Sequence, residues 1–240
     1  QAVPNTGRNR FLLVSSNEEK RMGEQAYRET LKKGPLSSDP EKVAMIRKVG
    51  LRIARVADRP DFQWEFNLLE EDKTINAWCL PGGKVAFYTG ILPVTLDENG
   101  VAVVMGHEVA HAIARHGAER MSQGAAVNFL GQILGVLLGG RSPLSREVFG
   151  QVYGLGVGLG ILLPYSRKHE AEADHIGLVL MAKAGYHPDG APAFWQRMEK
   201  AAGGEGSDSP LTRFLRTHPT SRDRQEAISR LIPEAMKHYR

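Results

Sequence analysis

The chain has 240 residues, with 31 lysines and arginines against 27 acids, a net charge of +4 and a pI near 9.2. Apolar residues make up 42% and charged residues 24%, ordinary globular values that exclude a disordered or fibrous protein. Basic residues are scattered among acids without interleaved aromatics, which argues against a nucleic-acid partner; a lone Cys79 can build neither an intrachain disulfide nor a thiolate zinc site.

The opening "QAVPNTGRNRFLLVSSNEEK" has no initiator Met and no apolar signal core, so we expect a chain trimmed after a targeting segment. From Ser16 to about Lys33 the residues read as a charged amphipathic helix with a serine cap. Asp39-Pro40 opens a second helix in which Val43, Ile46, Val49, Ile53 and Val56 recur at helical spacing. The pattern then alternates. "FQWEFNLLE" and "KVAFYTG" carry aromatic and branched residues either side of "INAWCLPGG", and Pro81-Gly82-Gly83 is a turn. We therefore expect Ile75 to Leu80 and Lys84 to Tyr88 to form a hairpin beside a Phe62 to Leu69 strand, as a small antiparallel sheet.

Past Asp97, "VAVVMGHEVAHAIARH" is alanine-rich and apolar on most sides, which predicts a buried core helix. Residues 124–163 hold two glycine-rich apolar runs, each shorter than the roughly 18 to 20 residues that cross a bilayer and each containing Asn or Gln. A helical hairpin is expected there, with peripheral membrane contact, or a lid over a cleft, as the alternatives. "SRKHEAEADHIGLVLMAKAG" reads as a helix capped by Ser166 and ended by Gly185. Two further helices are expected around "APAFWQRMEKAA" and "SRDRQEAISRLIPEAMKHY". The fold class is α+β and mainly helical: one domain over 1–240, with helical packing at 1–60, the sheet at 61–95 and a helical catalytic region at 96–240.

The chemistry sits in "HEVAH". His107 and His111 are four residues apart, so both imidazoles leave one face of the helix and can hold one ion, while Glu108, about 100° round, is placed as a base for water beside the metal. A catalytic zinc needs three protein ligands and an open position. A longer histidine motif would need Gly at position 114 and His at 117, where the chain has Ala114 and Gly117; His116 is out of phase and is read as a supporting residue. The later "HEAEADH" offers a carboxylate. Glu170 and Asp174 share a helix face and Glu172 points about 200° away, so we assign Glu170 as third ligand and Asp174 as acceptor for a ligand histidine, His107.

"HEVAH" followed by "SRKHEAEAD", with "INAWCLPGGKVAFYTGIL" upstream and "THPTSRDR" downstream, resembles the M48 zinc metallopeptidases, most of all their bacterial envelope members and a mitochondrial inner-membrane relative. The resemblance runs from about Val14 to Ile228. It implies a gluzincin-type fold with one Zn²⁺ per chain on His107, His111 and Glu170, with Glu108 as base and Asp174 behind the ligands. It also implies that His218 lies near the active site and can act as a switch on the metal, with Arg224 beside it. From residue type alone His218 reads equally as a helix-start residue before Pro219, and Arg224 as a packing or salt-bridge residue.

The expected activity is endoproteolysis of misfolded or exposed-segment proteins in envelope quality control, in the bacterial periplasm or cell envelope, with an anchor in the removed N-terminal segment. An exposed sheet edge around Asn76 and Gly82-Gly83 would take the peptide as an added strand. The rival readings are a catalytically silent zinc-bound holdase and a membrane-associated interaction module. The sequence sets no oligomeric state.

Overall fold

A computed structural model describes residues 2–3, 6–123, 165–202 and 210–240. The expected hairpin, membrane contact and lid at 124–163 lie outside the described residues. No helix among them is long and apolar enough to cross a membrane.

The first helix, α1 (Ser16–Lys33), is capped by Ser15, whose side chain accepts from Glu18 N–H. Glutamates in its first turn and lysines in its last suit the helix dipole. Its buried Tyr27 donates from the hydroxyl to the Val85 carbonyl at 2.8 Å and meets Trp78 edge to face, pinning α1 on the sheet. In α2 (Pro40–Val56) Asp39 caps two N–H groups and Pro40 supplies the first helical position. Ile46, Val49 and Ile53 are fully buried, as their spacing predicts, each contributing about 1.5–3 kcal/mol of hydrophobic stabilisation. Gly50 lies under the Phe66 ring, where a Cβ would come within 2.3 Å of it.

The sheet comprises β1 (Glu65–Leu69), β2 (Ala77–Leu80) and β3 (Lys84–Tyr88) in the order β1-β3-β2. The β2–β3 hairpin is antiparallel, turning through Gly82 and Gly83, both at positive φ. β1 runs parallel to β3, so the sheet is mixed rather than wholly antiparallel. The reason is the crossover: the chain leaving β1 carries β2 past β3 to the far edge. Alternation of apolar residues fixes a strand's faces but says nothing of its direction.

After a 3-10 turn (Thr89–Ile91) and the short α3 (Leu92–Thr95), Asp97 caps α4 (Glu98–Ala114), which is buried continuously from Gly100. It ends at Arg115, in the left-handed conformation at φ 55°, ψ 39°. A new helix, α5, begins immediately and is described over 116–123. α6 (Arg167–Lys183) carries the predicted Ser166 cap and closes at Gly185, φ +81°. α7 (Gly190–Ala202), α8 (Pro210–Thr217) and α9 (Arg222–Met236) follow. α8 lies between the two helices expected at the end of the chain and was not among the expected elements. The protein is thus α+β and mainly helical. One apolar core joins α2, the sheet, α4, α6, α7 and α9, and a second lies between α1 and the sheet.

Candidate metal centre

α4 and α6 cross at a pair of glycines. A Cβ on Gly106 would come within 2.7 Å of the Gly177 carbonyl oxygen, and one on Gly177 within 2.9 Å of the Gly106 carbonyl carbon and the His107 nitrogen. Backbone therefore touches backbone, and the side chains flanking the contact are brought face to face. His107 and His111 come from α4; Glu170 and Asp174, one turn apart, come from α6.

The His107 and His111 Nε2 atoms are 3.0 Å apart. Glu170 Oε1 lies 3.3 Å from His111 Nε2, and its Oε2 lies 3.5 Å from His107 Nε2. His218, just after α8, adds a fourth donor, its Nδ1 3.2 Å from His107 Nε2 and 3.1 Å from Glu170 Oε1. All four residues are buried, and their donor atoms fall within 4.8 Å of one another. Zinc bonds of about 2.0–2.1 Å put neighbouring donors of a tetrahedron about 3.3–3.4 Å apart. The spacings of 3.0 to 3.5 Å match that figure, and a set of imidazoles and one carboxylate suits zinc in kind.

Behind the donors stand two supports. Asp174 Oδ1 is 3.0 Å from His107 Nδ1, and Arg224 clamps the same carboxylate, Nε to Oδ2 at 2.8 Å and Nη2 to Oδ1 at 2.9 Å. A third guanidinium nitrogen, Nη1, reaches Glu170 Oε2 at 2.6 Å, and the guanidinium lies 4.0 Å over the Trp195 ring. Burial alone would raise the Glu170 and Asp174 carboxyls. For Glu170, His218, Arg224 and His107 outweigh it and hold the group well below the ordinary carboxylate range; for Asp174, Arg224 and His107 outweigh it and lower the group. Both remain anionic. Glu108 is different: burial raises its carboxyl, and its Oε1 is enclosed without a hydrogen-bond partner among the described residues, with His218 Nε2 3.4 Å away. Such a carboxylate is made more basic by desolvation and still has an acceptor to offer.

The structure thus gathers His107, His111, Glu108, Glu170, Asp174, His218 and Arg224. Asn76 is not among them. Its carbonyl accepts from Tyr88 N–H at 3.1 Å and its side-chain oxygen from Ala77 N–H at 2.9 Å, so it extends the β2–β3 ladder. Tyr165, absent from the sequence reading, stacks on His111 at 3.9 Å between ring centroids. Trp195 meets His107 edge to face, and Phe214 packs on His218. The adjacency of Tyr165 to the Ser166 cap was the one sequence signal for it; Trp195 and Phe214 carry none beyond being apolar.

Two imidazoles on one helix, a carboxylate from a second and a base beside them are the arrangement of metal-dependent hydrolases. The chain belongs to peptidase family M48, whose pattern matches residues 40–232. It is 39% identical over 236 residues to the mitochondrial metalloendopeptidase OMA1 of Schizosaccharomyces pombe, covering 97% of this chain and 66% of that one. The OMA1 of Saccharomyces cerevisiae is 30% identical over 253 residues, 99% of this chain and 70% of that one. The beta-barrel assembly-enhancing protease of Escherichia coli is 27% identical over 227 residues, 92% of this chain and 45% of that one. The chain thus spans about two thirds of the fungal relatives and under half of the bacterial one. These relatives correct the periplasmic or envelope location expected from sequence: the two with higher identity are named as mitochondrial, which points to the mitochondrion.

Proposed function

We propose that the chain is a zinc-dependent endopeptidase that cleaves extended segments of protein or peptide substrates, with residues 1–240 working as one peptidase unit. The observation that supports this best is the enclosed Glu108 oxygen, without a hydrogen-bond partner among the described residues, beside donors spaced for a single ion. His107, His111 and Glu170 would hold the zinc, which supplies Lewis acidity to the scissile carbonyl and to water. Glu108 takes the proton as water adds to the carbonyl carbon, and returns it to the amine nitrogen as the C–N bond breaks. Its raised affinity for a proton favours the first transfer and its buried position keeps the proton for the second. Asp174 and Arg224 hold His107 and Glu170 in place.

β2 is one of the sheet's two edge strands and packs against α4. An added substrate strand there would lie alongside the motif helix, with Asn76 at the strand's start. The OMA1 names of the relatives favour protein substrates in the mitochondrion. His218 fills the fourth donor position, so in this reading it is an internal inhibitor that must withdraw before substrate binds.

The test is zinc content per chain together with cleavage of unfolded casein by wild type, Glu108→Gln and Glu170→Ala. Near one zinc in wild type and Glu108→Gln, cleavage by wild type alone, and zinc loss in Glu170→Ala are expected. A Glu108→Gln variant that cleaves at the wild-type rate would sink the assignment.

A further inference from the structure

His111 has a partner on the side away from the donors. Its Nδ1 lies 2.8 Å from His116 Nδ1, and His116 Nε2 lies 3.0 Å from Glu172 Oε2. In a continuous helix residues five apart stand about 140° apart round the axis and do not meet. The left-handed Arg115 breaks the helix between them and turns α5 so that His116 comes back onto His111. A non-glycine residue in that region costs about 1 kcal/mol or more. Here it is held from outside: Arg115 donates from Nε to Glu19 at 2.7 Å and from Nη2 to the Val14 carbonyl at 2.8 Å.

Glu172 is anchored in its turn by the N-terminal segment. Arg8 donates from Nε to Glu172 Oε2 at 2.9 Å and forks onto Glu119 of α5 at 2.8 and 2.6 Å, and the Thr6 hydroxyl donates to Glu172 Oε1. The His169 ring stacks on His116 at 4.6 Å, and its Nε2 lies 3.3 Å from Glu119. The proton positions follow from the chemistry of the line. A carboxylate only accepts, so His116 Nε2–H donates to Glu172; the neutral His116 Nδ1 then accepts from His111 Nδ1–H, which leaves the His111 Nε2 lone pair facing the other donors.

We infer that His116, oriented by Glu172 and Arg8, is a positioning residue that fixes the ring and tautomer of His111 for metal binding, so that the N-terminal segment carrying Arg8 belongs to the metal centre. This rests on the reading of His111 as a ligand. Each ligand histidine then ends on a carboxylate and an arginine: Asp174 and Arg224 directly behind His107, Glu172 and Arg8 one imidazole further back behind His111. Carboxylate support of this kind is worth about 10- to 100-fold in metal affinity.

Zinc affinity of the full chain, measured by competition with a chelating dye, separates positioning from packing. His116→Phe keeps a ring to stack on His169 but no acceptor; His116→Asn loses the ring but places an oxygen where Nδ1 was. About 10- to 100-fold weaker zinc binding is expected in His116→Phe and recovery of part of that loss in His116→Asn, which supplies the acceptor but does not reach Glu172. Wild-type affinity in His116→Phe, or equal weakness in both, overturns the inference. His111→Ala distinguishes the underlying reading: if it keeps wild-type affinity, His111 is no ligand and both fall. Should His116→Phe lack the wild-type near-UV circular dichroism, Arg8→Gln, at the partly exposed end of the line, carries the test. Weaker zinc binding by about tenfold with an unchanged spectrum supports the line, and unchanged affinity overturns it.

Discussion

The glycine contact between α4 and α6 sets the distance across the metal centre, and Gly177→Ala tests this with one methyl group. The new Cβ would stand 2.9 Å from the Gly106 carbonyl carbon, where ordinary contact begins at 3.4 Å, so the helices must part by about 0.5 Å. His107 adjoins Gly106, and Asp174 lies one turn before Gly177. A rigid separation of that size takes the 3.0 Å contact between His107 Nδ1 and Asp174 Oδ1 to about 3.5 Å and loosens the aspartate's electrostatic hold on the ring. Overpacking of this kind costs about 1–3 kcal/mol, and loss of the aspartate's support about 10- to 100-fold in metal affinity. Urea unfolding of the zinc-free protein reads the first quantity and dye competition the second. A variant that loses stability yet binds zinc like wild type would show that the helix spacing does not govern the site. Unchanged stability would show that the glycine contact is not close.

Replacement of His218 by alanine removes the fourth donor, so casein cleavage should rise above wild type while one zinc per chain is kept; a fall in cleavage would instead make His218 part of the catalysis. Acid should loosen α1 from the sheet. Lys84 is buried and bridges Glu65 at 2.7 Å and Glu24 at 3.0 Å. At Glu24 burial is outweighed by Lys84 and Arg28, and at Glu65 Arg28 leads with Lys84 adding to it, so both carboxyls are lowered. A folded-state value below the unfolded one gives stability that is present above about pH 4.3 and lost as pH falls below it. The urea midpoint should therefore drop between pH 6 and pH 3, and drop less in Lys84→Met; equal slopes would refute the coupling.

What could be read from sequence was what repeats within one helix. His107 and His111, or Glu170 and Asp174, share a face by spacing alone, and neither assignment needs knowledge of the rest of the chain. The capped helices were legible for the same reason. The direction of β1 was not, because it depends on where the crossover lands. His116 looked out of phase because the spacing argument assumes that α4 runs on, and Arg115, which stops it, has no glycine to betray the left-handed turn. Arg8 was invisible too. An arginine near the start of a chain reads as solvated charge until Glu172, far along the sequence, is seen to receive it. The cellular address left no trace in the donors or their supports, since a metal centre is built the same way in either compartment.

Tyr165 has a consequence beyond its stacking. It is the first described residue after 124–164, and its N–H donates to the Thr217 carbonyl at 2.9 Å while its ring lies between His111 and the Arg120 guanidinium, 4.2 Å away. The residue that leads into α6 is thereby tied to the end of α8 by its backbone and to α4 and α5 by its ring, so a displacement of any one of these three helices reaches the His111 imidazole.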